Sequence, residues 1–85
     1  MKKRIKDWNG YFYHALETED FIYFVNYQEG DENGGVKMFR KSDDSLVSDN
    51  YFAHADMQEA IDNKTYTWVS RHMKRNIKLY LEVTN

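Results

Sequence analysis

Eighty-five residues, about 10.3 kDa, suffice for one small domain, so residues 1–85 are expected to fold as a single unit. Charged residues make up 31% and mean hydropathy is −0.88, yet 16% of the residues are aromatic, which argues for an aromatic core and against disorder. The formal charge of −2 is segregated into +4 over residues 1–6, −10 over 7–63 and +4 over 64–85. Two basic ends around an acidic middle point either to nucleic acid or an acidic partner, or to ends that pair with the middle across the fold.

Met1 to Lys6 is basic, but Asp7, Trp8, Asn9 and Gly10 come next, where a signal peptide needs an apolar run. Tyr11 to Leu16 alternates and reads as a strand. A polar loop over Glu17, Thr18, Glu19 and Asp20 leads to a second strand at Phe21–Gln28. Ile22 and Phe24 share one face and Phe21, Tyr23, Val25 and Tyr27 the other, so this strand is expected to be central and covered on both sides. That apolar stretch, Phe21 to Val25, is the longest in the chain and far too short to span a bilayer. A cytoplasmic protein with no membrane partner is expected.

Glu29 to Gly35 is the strongest loop signal. Val36 to Lys41 alternates again, Ser42-Asp43-Asp44-Ser45 reads as a turn, and Leu46 to Phe52 as a weak strand. Ala53, Met57, Ala60 and Ile61 recur at helical spacing, with Asp56 as cap and Glu59 three residues on. Tyr66, Val69 and Met73 suit a helix face, but the β-branched Thr65, Thr67 and Val69 favour a strand. Ile77, Leu79, Leu81 and Val83 alternate with Lys78, Tyr80, Glu82 and Thr84, the cleanest strand pattern present. The fold class read from these elements is α+β, a mostly antiparallel sheet of five or six strands with one short helix near residues 54–63.

Catalytic chemistry has little support. His14, His54 and His72 suit acid–base work by their ordinary pKa but form no local signature. With no cysteine there is no thiolate zinc site or cysteine nucleophile. His54 and Asp56 lack the spacing of a metal site, Asp31-Glu32-Asn33 lacks the ligand pattern of a calcium loop, and Gly34-Gly35 is no phosphate loop. No catalytic residue, metal or cofactor is therefore expected.

The most informative stretch is Arg71-His72-Met73-Lys74-Arg75-Asn76-Ile77-Lys78. It places Arg71, Lys74, Arg75 and Lys78 close to Tyr66, Trp68 and Tyr80. Cations for phosphates and rings for bases are what single-stranded nucleic-acid binding requires. The bland alternative is a charged hairpin turn beside core aromatics. Arg40, Lys41 and the N-terminal lysines extend the patch if they fold onto one face. A nucleic-acid mimic built on the acidic middle would call for far more negative charge than −2.

In its richness in Lys, Asn, Asp, Tyr and Ile, its lack of proline and cysteine, its short length and its basic Arg71–Lys78 segment, the chain resembles the small early proteins of T-even-type bacteriophages. The resemblance rests on whole-chain character and transfers no site residues. It implies a non-enzymatic, RNA-associated inhibitor whose partner is a host toxin or defence nuclease. Two other readings stay open. One is a small ribonuclease using a histidine with Arg71 or Lys74. The other is a plain protein–protein module with Tyr11, Tyr13, Tyr23 and Tyr27 as anchors, including a homodimer formed through an edge strand.

Overall fold

A strand that is apolar at every position, as Phe21–Val25 is, persists only with neighbours on both edges and cover on both faces. The computed structural model, which describes residues 4–7, 10–26, 35–49 and 51–75, gives it both. The elements are β1 (Arg4–Asp7), β2 (Gly10–Glu17), β3 (Phe21–Val25), β4 (Val36–Arg40), β5 (Leu46–Ser48), α1 (Tyr51–Asn63) and β6 (Trp68–Val69). Residues 71–75 are also helical. All strand pairs are antiparallel, in the order β1-β2-β3-β4-β5, with β6 pairing β2 as well. This is the α+β architecture expected from the sequence. No helix among the described residues is long and apolar enough to cross a membrane.

The two faces of β3 separate as its sequence implies. Tyr23 and Val25 join Leu16, Val36 and Met38 in the main core, which α1 closes with Ala53, Met57, Ala60 and Ile61. Ile22 and Phe24 join Phe12 on the opposite face, with Ile5 and Phe39 packed against them. Register shifts at two places, between Met38 and Phe39 where β4 pairs β5, and at a β-bulge in β2 between His14 and Leu16. There Ala15 and Leu16 both enter the α1-side core, although neighbouring strand residues ordinarily point to opposite faces.

Three local expectations are corrected. The helix begins at Tyr51 rather than near 54, so Asp56 lies inside it and caps nothing. Its carboxylate accepts a hydrogen bond from the Tyr23 hydroxyl. Tyr51 and Phe52 carry strand-type aromatic side chains, yet both are exposed and their intrinsic preference does not decide their state. The region 66–73 divides into the two-residue β6 and the helical start at Arg71, so Arg71–Arg75 is not a hairpin turn. β1, finally, is a strand where the sequence suggests only a basic terminus. The strand expected over 77–83 lies outside the described residues.

Helix α1 ends through backbone chemistry. Lys64 has a positive φ of 55°, the Lys64 N–H donates to the Ile61 carbonyl (3.2 Å) and the Thr65 N–H to the Ala60 carbonyl (3.0 Å). These are the paired bonds of a Schellman cap. Thr65 then leads the chain back across to β2.

Candidate nucleic-acid interface

β2 has β3 along one edge and two short strands sharing the other. β1 covers Gly10–Tyr13 in the register Arg4↔Tyr13, Ile5↔Phe12 and Lys6↔Tyr11. β6 covers the far half, with Leu16↔Val69 and Glu17↔Trp68. The Thr67 N–H donates to the Glu17 carbonyl and the Ser70 N–H to the Ala15 carbonyl, each at 2.8 Å. Running antiparallel to β2, the chain after Ser70 therefore advances toward Tyr13 and β1. Among the described residues, β1 and the segment leading to Arg71 thus share one edge of β2.

Register fixes which side chains share that surface. Tyr13 lies opposite Val25, so it stands on the α1 side of the sheet, and Tyr11, Arg4 and Lys6 stand there with it. Tyr11 and Tyr13 are 40% and 50% exposed, in a strand whose other apolar side chains are buried. The Arg4 guanidinium sits 4.4 Å from the Tyr11 ring centre and the Lys6 ammonium 5.5 Å, within cation–π range.

The helical turn at 71–75 sits on the same side. Met73 is buried in the α1-side core, which anchors the turn and leaves Arg71, Lys74 and Arg75 exposed. Ser70 caps it: its hydroxyl accepts from the Met73 N–H (3.1 Å) and its carbonyl from the Lys74 N–H (2.8 Å). Ion pairs among the described residues include Arg40–Asp43 and Lys41–Glu17, and neither of these draws on Arg4, Lys6, Arg71, Lys74 or Arg75. Among the described residues, Asp43 and Glu17 of the acidic middle pair with Arg40 and Lys41 of the same stretch.

The other sequence candidates fall elsewhere. Trp68 pairs with Glu17 and its ring stacks on His14 at 4.2 Å and 19°, on the face of Phe24 and Phe39. Tyr66 is half-buried against the main core. Arg40 and Lys41 sit at the opposite end of the strands, where the Arg40 guanidinium donates to the Ser45 hydroxyl (3.1 Å) and the Lys41 ammonium is 3.8 Å from Glu17. Lys78 and Tyr80 lie outside the described residues. Arg71, Lys74 and Arg75 thus lie on the side of the sheet that carries Arg4, Lys6, Tyr11 and Tyr13, whereas Trp68 faces the other.

Sequence reasoning offers Tyr11 and Tyr13 only as protein-docking anchors and misses the strand that carries Arg4. A signal for that strand exists: Asn9-Gly10 is a hairpin dipeptide, and Gly10 has a φ of 114° that suits glycine alone.

The histidines do not assemble into a catalytic pair. The His14 ring lies on the Phe24 side, His54 is exposed on α1, and His72 is on the helical turn across the sheet. Burial lowers the His14 pKa from 6.5; Glu17 opposes this and Lys41 adds to it. No group of three or more potential metal ligands occurs among the described residues. What the Tyr11–Tyr13 face offers chemically is rings for stacking and fixed positive charge. Comparison of the chain with family models, curated proteins and solved structures returned no match.

Proposed function

We propose that this protein binds single-stranded RNA on the Tyr11–Tyr13 face and acts, without catalysis, as an inhibitor of a host toxin or nuclease with RNA as the bridge. The observation that carries the reading is that Arg4 and Lys6 of β1 and the exposed Arg71, Lys74 and Arg75 lie on the same side of the sheet as two exposed tyrosines, with Tyr13 and the 71–75 turn lining one cavity. Cations take phosphates and tyrosine faces take unpaired bases. The inhibitory role and the host partner come from the resemblance to T-even early proteins.

The test uses charge reversal on the helical turn. Arg71→Glu with Lys74→Glu lowers affinity for a short single-stranded RNA by roughly tenfold or more, with the circular dichroism spectrum unchanged. Unchanged affinity in that double variant overturns the reading. For the partner, a tagged protein is captured from bacterial lysate with and without RNase. A bound host nuclease lost on RNase treatment supports the bridge, and one that survives it favours direct docking.

A specific observation favours that second reading. Tyr51 and Phe52 are 84% and 57% exposed in the first turn of α1, which follows closely on the exposed Asp49. An apolar patch with an acidic neighbour suits a protein surface bearing lysine and arginine.

A further inference from the structure

Between β2 and the helical turn lies a cavity of about 350 Å³, lined by Tyr13, Ala15, Val25, Ser70, His72 and Met73, with His14 contributing while its ring is turned to the other face. Its volume is at the small end of the range for small-molecule sites. Ala15, Val25 and Met73 are buried and give it an apolar floor. Tyr13 forms a half-exposed aromatic wall, and Ser70 and His72 supply polar edges. The Ser70 hydroxyl already accepts from the Met73 N–H, so its own proton is left to donate.

The charge around this cavity selects the ligand. Arg4 stands opposite Tyr13 in the strand register, Arg71 and Lys74 flank His72 and Met73 in the chain, and no acidic side chain among the described residues lines the space. A second cavity of about 320 Å³, beside the Thr18–Asp20 turn, carries Glu19, Asp20, Asp56 and Glu59 and repels anions. Of the two, the first alone combines an apolar slot and an aromatic wall with cations that neighbour its lining residues in register or in sequence.

We propose that this cavity takes one nucleobase turned out from a bound single strand, with Tyr13 stacked on the ring. Ser70 and His72 hydrogen-bond to its edge, and Arg71 and Lys74 hold the adjoining phosphates. The assignment rests on the single-stranded RNA reading above and names the group that the face selects.

The experiment compares fluorescence-anisotropy affinities for the tightest-binding of four homo-oligonucleotides and for an abasic spacer oligomer of equal length and charge. The expected result is that the intact strand binds roughly tenfold more tightly. Tyr13→Ala removes most of that difference, while His54→Ala, exposed on α1 and outside the RNA face, retains it. Equal binding of intact and abasic strands overturns the base cavity and leaves the electrostatic RNA reading standing. A difference that survives Tyr13→Ala also overturns it. If neither strand binds, the RNA reading itself fails and takes the base cavity with it.

Discussion

Tyr23 has no exposed surface, and its one polar group meets a carboxylate, since the hydroxyl donates to Asp56 on α1. Burial and that bond push the phenol pKa well above its ordinary value, so it stays protonated and remains a donor. Tyr23→Phe keeps the packing and removes the bond, at an expected cost of about 1–2 kcal/mol. Urea unfolding checks this as a lower midpoint with an unchanged slope. His14 makes a prediction of opposite kind. Its ring lies between Trp68 and Phe24, and its buried Nε2 has no hydrogen-bond partner. Because the folded state holds the pKa below 6.5, the unfolded chain takes up the proton first as pH falls. The His14 contribution is complete above that value and is lost as pH drops toward the folded pKa. The melting temperature is therefore expected to fall between about pH 7 and pH 5, and His14→Phe to flatten that slope. Neither role was legible in the sequence. The Tyr23–Asp56 bond spans 33 positions, and the partners of His14 are set by a bulge that alternation does not forecast.

Elements with a clean period were legible, and those held by tertiary contacts were not. The faces of β3 and the inward stripe Ala53, Met57, Ala60 and Ile61 follow directly from spacing. The first turn of α1 does not, because Tyr51 and Phe52 favour strands and the helix is stabilised by the packed turns from Ala53 onward. The two-residue β6 carries too little pattern to read, and it exists because β2 offers it an edge. The C-terminus of α1 supports a further prediction. Lys64 adopts a left-handed conformation in which its Cβ is strained, so Lys64→Gly is expected to stabilise the protein by about 0.5–1 kcal/mol. Thermal unfolding measures the gain. A loss would mean that the Lys64 side chain contributes more than its backbone strain costs.

At the scale of the whole molecule, charge segregation becomes spatial among the described residues. The acidic turns at Glu19–Asp20 and Asp43–Asp44 lie at one end of the strands, and Arg4, Lys6 and the 71–75 cations gather toward the other. Such a distribution orients an approaching polyanion despite a net charge of −2. If RNA engages three to five of these cations, the logarithm of affinity falls with the logarithm of salt concentration at a slope of about −2 to −4. A flat response would rule out phosphate contacts as the source of binding. The sequence pointed to the Arg71–Arg75 half of this surface because cations and rings are adjacent in the chain there. It did not point to the tyrosines that share the surface, since Tyr11 and Tyr13 reach Arg71 only through the β2 edge.

That shared edge has a consequence for synthesis. During translation the Arg4 strand leaves the ribosome before the 71–75 turn, so a nascent chain carries the two sets of cations at different times. On the proposed RNA reading, an unfinished polypeptide held beside the most abundant RNA in the cell exposes the first set without the second and lacks a complete grip on a strand.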